Sequence, residues 1–238
     1  MILAQIPAII HQACIFVKKR ILINKYIDHT LLKPLATKKQ MVQLCEEAMQ
    51  YEFATVCIPS CYIGIARDIL HDSDVKVCTV IGFPLGYDST SAKSAATKAA
   101  VEEGAEEIDM VMNQSWLKSA AFDEVHQDIN SVKIACHHST LKVILETAHL
   151  TDDEITKAAE IAEDAGADYI KTSTGFGEGG ASFHAVELMK RSISSNVKIK
   201  ASGGIKDFAT AKKYIDMGVS RIGASSGVDI VQQEKENK

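Results

Sequence analysis

Two lysines lie in nearly the same local setting, and both are placed for amine chemistry. Lys171 closes the apolar run 168–170, Lys200 closes the run 197–199, and a loop rich in glycine and serine follows each lysine. A nucleophilic lysine must be neutral, whereas an ordinary lysine has a pKa of about 10.4. A second positive charge at ~4 Å opposes protonation by about 4 kcal/mol, close to the roughly 4.6 kcal/mol that brings the pKa to about 7. We therefore expect the two lysines to meet and to lower each other's pKa. Their local setting does not say which of them is the nucleophile.

A carboxylate interrupts an apolar strand upstream of the lysines. Asp109 lies within the run 107–113, and a buried charge costs several kcal/mol unless it is paired. The side chain either forms a salt bridge that orders the fold or joins the lysines as a proton carrier. Asn113, at the end of the same run, either hydrogen-bonds a substrate hydroxyl or caps the following helix.

Glycine and serine follow two later runs in a pattern that is typical of a phosphate site. Gly203 and Gly204 come after one run, and Gly223, Ser225 and Ser226 come at the end of the next. Glycine lets a backbone approach an anion closely, and serine hydroxyls add hydrogen-bond donors. Such loops bind phosphate when a helix N-terminus faces the same anion. The two loops together predict a phosphate site.

Two other polar stretches are further candidates for the site. Thr174 and Gly175 begin a flexible loop that suits closure over a ligand. Asp28 interrupts the first apolar run, where it either belongs to a satisfied core network or contacts substrate. Asp128 is predicted to lie on a solvated helix face.

The elements that must position these side chains repeat one pattern eight times. Each unit is a short β-branched run, a turn and an amphipathic stretch such as 38–51, whose apolar residues recur at helical spacing. Eight alternations without a linker favour a single α/β domain, a TIM (β/α)8 barrel over residues 25–238, rather than an open sheet. The active site of such a barrel lies at the carboxyl ends of its strands. The runs span residues 26–32, 54–58, 75–81, 107–112, 141–145, 168–171, 197–200 and 221–223.

Composition narrows the class of protein. The chain has 238 residues, 46% of them hydrophobic, and a net charge of -5 without a run of five like charges, so no nucleic-acid partner is expected. Its six cysteines lie mostly in apolar segments, which predicts reduced, buried thiols and a cytoplasmic location. We interpret residues 1–24 as a non-catalytic extension. This stretch is too short and too broken to span a membrane and lacks the basic start of a signal peptide.

Five sequence blocks between residues 25 and 231 resemble the signature blocks of the deoxyribose-phosphate aldolase family. They are residues 26–34, 80–86, 107–111, 171–177 and 200–205. The resemblance implies a class I aldolase with a barrel fold and no metal or cofactor. It would cleave 2-deoxy-D-ribose 5-phosphate to D-glyceraldehyde 3-phosphate and acetaldehyde in deoxyribonucleotide catabolism. It also implies a homo-oligomer, a dimer or a tetramer, without a membrane partner.

The resemblance assigns roles to residues that the spacing leaves open. Lys171 matches the lysine that forms the Schiff base, Lys200 matches the second lysine, and Asp109 matches the aspartate that moves protons. The positions that match the family's phosphate site are Gly203, Gly204, Ser225 and Ser226.

The sequence departs from the family pattern in three places. Pro59 and Ser60 stand where an Asn-Pro pair is usual, the segment 114–116 is bulkier than usual, and residues 1–24 have no counterpart in most members. Two alternatives stay open: another Schiff-base aldolase of sugar phosphates, and a sugar-phosphate-binding barrel without catalysis.

Overall fold

Eight short parallel strands close into a barrel in their sequence order. The structure is a computed structural model, which describes residues 22–236. Each strand pairs with the next and the eighth pairs with the first, so the predicted (β/α)8 barrel is confirmed. The strands are β1 (Ile27–Thr30), β2 (Thr55–Ile58), β3 (Lys76–Ile81), β4 (Glu107–Val111), β5 (Thr140–Ile144), β6 (Tyr169–Lys171), β7 (Lys198–Ser202) and β8 (Arg221–Ala224).

Helices surround the barrel, and local sequence explains where several of them begin. Thr37 and Thr151 both form capping boxes, in which the threonine side chain accepts from the backbone three residues later. The four apolar residues that recur at helical spacing in the first helix are all buried, as predicted. Within the described part of the chain the helices are α1 (Lys38–Gln50), α2 (Ile63–Leu70), α3 (Thr90–Glu103), α4 (Gln114–Lys118), α5 (Phe122–Cys136), α6 (Asp152–Asp164), α7 (Phe183–Ser192), α8 (Phe208–Asp216) and α9 (Gly227–Glu236).

The predicted N-terminal extension lies almost entirely outside the described residues, which begin at Leu22. A 3-10 helix, Ile23–Tyr26, leads directly into β1. Ile23 is buried in the apolar core, and the Asn24 side chain donates to the backbone carbonyl of Tyr51 at 2.9 Å. The last residues assigned to the extension are therefore packed against the barrel.

Apolar side chains fill the layer between the strands and the helices, whereas the barrel interior is charged. In β4, Ile108 and Met110 belong to the buried apolar core. Glu107 and Asp109 alternate with them and therefore point to the opposite side of the sheet. The interior of such a barrel is more commonly packed with branched apolar residues. A charged interior is therefore unusual for a barrel of this kind and indicates a functional site.

One buried ion pair outside the barrel contradicts a prediction. Asp128 on α5 was expected to be solvated but is fully buried. Lys93 of α3 donates to its Oδ2 at 2.6 Å and to the Val111 carbonyl at 3.0 Å, and the Thr90 hydroxyl donates to its Oδ1 at 2.9 Å. The prediction was wrong because the partners lie on a helix 35 residues upstream, which the local pattern of α5 does not reveal.

Within residues 22–236, no helix combines the length and the apolar character that crossing a membrane requires.

Candidate active site

Seven charged side chains from six strands meet inside the barrel and form the network on which the site is built. Three are carboxylates and four are cations, and hydrogen bonds or ion pairs join them all. The members are Asp28, Glu107, Asp109, Lys142, Lys171, Lys200 and Arg221.

Asp109 is the centre of this charged network. Its Oδ2 accepts from Nζ of Lys171 at 2.8 Å and from Nζ of Lys200 at 2.7 Å, and its Oδ1 accepts from Nζ of Lys142 at 2.8 Å. Burial alone would raise the pKa of Asp109, but the three lysines outweigh burial and hold the pKa well below its ordinary value. The structure therefore brings the predicted aspartate and both predicted lysines together around one ionised carboxylate.

Lys200 lies between two carboxylates. It is fully buried, and its Nζ lies 2.5 Å from Asp28 Oδ2 as well as 2.7 Å from Asp109 Oδ2. Burial lowers the pKa of Lys200, but the two carboxylates overcome burial and raise the pKa above its ordinary value. The expectation that the lysine pair lowers both pKa values is thus wrong for Lys200, because each lysine faces a carboxylate that the spacing argument did not include.

Sequence reasoning missed three members of the network. Lys142 Nζ lies 2.6 Å from Glu107 Oε2, and Arg221 bridges Glu107 at 3.0 Å and Asp28 at 2.8 Å. Opposing carboxylates raise the pKa of Lys142 and of Arg221 against the effect of burial. Lys142 interrupts an apolar strand in the same way as Asp109, and that signal could have identified it.

The network carries one more cation than carboxylate, and one lysine differs from the others in position. Four cations face three carboxylates, so the loss of one proton makes the cluster neutral. Lys142 and Lys200 are fully enclosed, whereas Lys171 lines a cavity at the carboxyl mouth of the barrel. Lys171 and Lys200 are direct register partners on β6 and β7, and the cavity distinguishes them where local sequence does not.

The cavity has a volume of about 360 Å³ and is formed by the ends of β1, β6, β7 and β8. Two basic side chains at its rim, Lys33 and Lys206, were not predicted. Ser226 is absent from the described lining, and Asp28 lies in the charged network beneath the cavity rather than on its wall. The predicted residues that line the cavity are Lys171, Thr174, Gly175, Gly203, Gly204, Gly223 and Ser225.

Backbone geometry explains the glycines of the predicted phosphate loops. Gly203 and Gly204 have φ angles of +89° and +82°, which side chains other than glycine rarely adopt. A Cβ at Gly223 would lie 2.8 Å from the Ser202 Cβ. The loop after β8 leads into α9, which starts at Gly227, so the positive end of a helix dipole lies next to this loop. The arrangement can bind an anion at the end of the cavity next to β7 and β8.

The loop after β6 is held by Glu146, a residue that sequence reasoning missed. Glu146 is buried and has a left-handed backbone with φ of +57°. Its Oε2 accepts from the Thr174 backbone N–H at 3.1 Å and also from the Thr174 hydroxyl. That hydroxyl in turn accepts from the Phe176 N–H at 3.0 Å. A residue just after the end of β5 therefore holds the segment that follows Lys171 in place.

The structure shows one of the two roles predicted for Asn113. Its side-chain oxygen accepts from the Trp116 N–H at 3.2 Å and so caps α4. It lies outside the described cavity lining.

One group of side chains within residues 22–236 has metal-ligand geometry. The ligand atoms of Cys57, Cys78 and Asp109 lie within 4.8 Å of one another. Both oxygens of Asp109 already accept from lysine ammonium groups, which disfavours a further cation at this position.

Comparison with known proteins agrees with the geometry. A sequence model described as DeoC/LacD family aldolase matches residues 22–233. The chain is 51% identical to the deoxyribose-phosphate aldolase of Caldanaerobacter subterraneus subsp. tengcongensis, over 90% of this chain and 94% of that protein. It is 50% identical to that of Staphylococcus carnosus, over 87% and 94%. The tetrameric deoxyribose phosphate aldolase of Aeropyrum pernix superposes with a TM-score of 0.82 at 31% identity, over 91% and 92% of the two chains.

Proposed function

Because the chain belongs to the DeoC/LacD family of aldolases, we propose that it cleaves 2-deoxy-D-ribose 5-phosphate reversibly to D-glyceraldehyde 3-phosphate and acetaldehyde. Relatives that are about 50% identical in sequence and are named deoxyribose-phosphate aldolase support this substrate. The observation that carries the proposal is the position of Lys171, which joins the charged network to the cavity. The reaction serves deoxyribonucleotide catabolism in the cytoplasm.

Lys171 is the nucleophile. It lines the cavity, and the network loses its surplus positive charge when this lysine gives up its proton. The neutral amine attacks the aldehyde carbon of the open-chain sugar phosphate, and loss of water gives an iminium that accepts electrons. The iminium does the work that a Lewis acid does in other aldolases.

Asp109 and Lys200 move the proton. Cleavage of the C2–C3 bond requires removal of the C3 hydroxyl proton, which Asp109 accepts through a water molecule. The bonding electrons pass to the iminium and leave an enamine on Lys171. Lys200, 2.7 Å from the same carboxylate oxygen, completes the relay that protonates C2 of the enamine. Hydrolysis then releases acetaldehyde and regenerates the amine.

The loops after β7 and β8 bind the phosphate of the substrate. Gly203, Gly204 and Ser225 line the same cavity as Lys171, and Lys206 adds positive charge at the rim. The substrate is then held at its phosphate and at its aldehyde carbon. Holding both ends orients the sugar, which lowers the activation barrier because less entropy is lost in reaching the transition state. Asp28 lies beneath the cavity and acts on the site through its ion pair with Lys200.

The working form is a homo-oligomer, and a tetramer is the form that the name of the Aeropyrum pernix relative supports. Light scattering on the full-length chain tests this assignment.

A borohydride experiment tests the function and the nucleophile together. Reduction in the presence of acetaldehyde should attach a two-carbon adduct to Lys171, which peptide mass spectrometry locates. Lys200 should stay unmodified in the same sample, because it is enclosed by two carboxylates. Lys171→Arg is the matched variant and should give no adduct and no cleavage of the sugar phosphate. An active protein whose adduct lies elsewhere would overturn the assignment.

A further inference from the structure

Two cysteines that the proposed chemistry does not use lie side by side in the barrel interior. Cys57 on β2 and Cys78 on β3 are direct register partners of neighbouring parallel strands. Side chains at paired positions of adjacent strands point to the same side of a sheet. Both residues are fully buried, and their sulfur atoms lie within 4.8 Å of each other and of an oxygen of Asp109.

The surroundings join this thiol pair to the charged network. Cys78 Sγ lies 3.2 Å from Asp109 Oδ1 and 3.3 Å from the Lys142 ammonium. While Lys171 is protonated, the network has one surplus positive charge, which a thiolate can balance. A hydrogen bond with Cys78 lowers the pKa of Cys57 against the effect of burial, with help from Lys200 and Lys171. Burial raises the pKa of Cys78. The two thiols are therefore unequal: Cys57 is the better nucleophile, and Cys78 stays protonated.

We propose that Cys57 and Cys78 form an oxidant-sensitive pair that closes to a disulfide in the presence of hydrogen peroxide. The Cys57 thiolate attacks one peroxide oxygen and breaks the O–O bond, giving a sulfenic acid and hydroxide. The Cys78 thiol then attacks the Cys57 sulfur, forms the S–S bond and releases water. Both sulfurs are oxidised, and the peroxide is the two-electron oxidant.

The backbone geometry permits this bond. Neighbouring strands are roughly 4.8 Å apart, and Cα atoms joined by a disulfide are roughly 4.4–6.8 Å apart. In this proposal peroxide enters from the cavity, because Lys171 lines the cavity and donates to Asp109 Oδ2, while Cys78 contacts Oδ1 of the same carboxylate. A molecule in the cavity therefore covers this route.

Oxidation should stop turnover. In a disulfide Cys78 has no proton to donate to Asp109, and its sulfur moves away from its position between Asp109 and Lys142. Asp109 then loses part of the environment that fixes it against both catalytic lysines. Reduction with dithiothreitol restores the thiols and the original contacts.

The test is a tryptic peptide map. The full-length protein is treated with hydrogen peroxide and then digested without reduction. A link between the peptide with Cys78 and the peptide ending at Arg67 should appear, with the loss of two hydrogen atoms. The second peptide also holds Cys45 and Cys61. Cys61→Ser, which removes an exposed thiol, should keep the link, and Cys57→Ala should abolish it.

Two further readouts separate this pair from general oxidation. In Cys78→Ala, Cys57 should gain oxygen atoms instead of a link, and dithiothreitol should no longer restore the lost turnover. Deoxyribose 5-phosphate should slow formation of the link. This protection rests on the proposed function, whereas formation of the link in the peptide map is independent of it. Circular dichroism establishes that both alanine variants fold. A map in which peroxide modifies Cys61 alone, while Cys57 and Cys78 stay reduced, would overturn the proposal.

Discussion

Lys142 illustrates how much one buried side chain decides in this protein. It contacts Asp109 and Glu107 within 2.8 Å and lies 3.8 Å from Asp28, and it is fully enclosed. Removal of one partner of a buried ion pair leaves uncompensated charge, which is far more costly than the loss of an exposed pair. Its role is both to stabilise the fold and to set the charge of the site.

We expect Lys142→Met to lower the free energy of unfolding by roughly 3–5 kcal/mol. The variant should also lose turnover, because Asp109 then loses one of the three ammonium groups that hold it beside Lys171. Urea denaturation and the borohydride adduct measure the two effects. The matched control is Lys212→Met, which removes an exposed pair with Asp216 and should cost less than about 1 kcal/mol. Wild-type stability together with a normal adduct yield in Lys142→Met would contradict this account of the network.

At the level of elements, the loops after β6 and β7 depend on each other. The Ala181 N–H donates to the carbonyls of Ser202 and Gly203 at 3.0 and 3.1 Å. A Cβ at Gly180 would lie 2.3 Å from the Gly203 carbonyl oxygen, so no side chain fits between the loops. A change in the loop beside the proposed Schiff-base lysine therefore moves the proposed phosphate loop.

Gly180→Ala should raise KM for the sugar phosphate about tenfold, equivalent to roughly 1.4 kcal/mol, because the phosphate loop is displaced. Acetaldehyde carries no phosphate, so its borohydride adduct on Lys171 should form normally. The control is Gly64→Ala on α2, where the nearest atom to a Cβ is the end of the Glu103 side chain at 3.4 Å. Steady-state kinetics with both variants make the comparison. An unchanged KM for Gly180→Ala would mean that the loops move independently.

The strands were predictable from sequence, and the contacts between them were not. Each of the eight predicted runs overlaps an observed strand, with ends that differ by at most two residues, because β-branched runs and turn residues are local signals. The pairing of Lys171 with Lys200 followed from strand order. The ion pairs of Lys142 join positions 33 or more residues apart, and their register depends on closure of the barrel. The left-handed backbone of Glu146 is likewise set by tertiary contacts rather than by its own residue type.

On the scale of the whole molecule, the charged interior sets the pH range of stability. The pKa of Asp109 and the pKa of Glu107 are both held below their ordinary values against burial, chiefly by Lys142. A carboxylate with a lowered pKa contributes stability above its unfolded pKa of roughly 4, and that contribution is lost as the pH falls through the folded value. The pKa values of Lys142 and Lys200 are raised, so their contribution persists up to the unfolded lysine pKa of about 10.4 and beyond.

We therefore expect the contribution of the network to the free energy of unfolding to be nearly flat from about pH 5 to about pH 10 and to fall below about pH 4. Urea denaturation across this range measures it. Lys142→Met should lose less stability on acidification than the wild type, because its carboxylates have one lysine fewer to hold their pKa values down. A wild-type protein that loses most of its stability between pH 7 and pH 5 would contradict the prediction.

The distribution of the seven charges along the chain has a consequence for how the barrel assembles. The first four strands supply only the carboxylates Asp28, Glu107 and Asp109, and the last four supply only the cations. A half-barrel that leaves the ribosome first thus holds three negative charges with no counter-ion, and each half repels itself until the other arrives. Opposite charge on the interior side chains of the two halves favours their mutual docking over pairing of one half with a second copy of itself. The same side chains that are proposed to prepare the amine thereby favour closure of the barrel as one cooperative event.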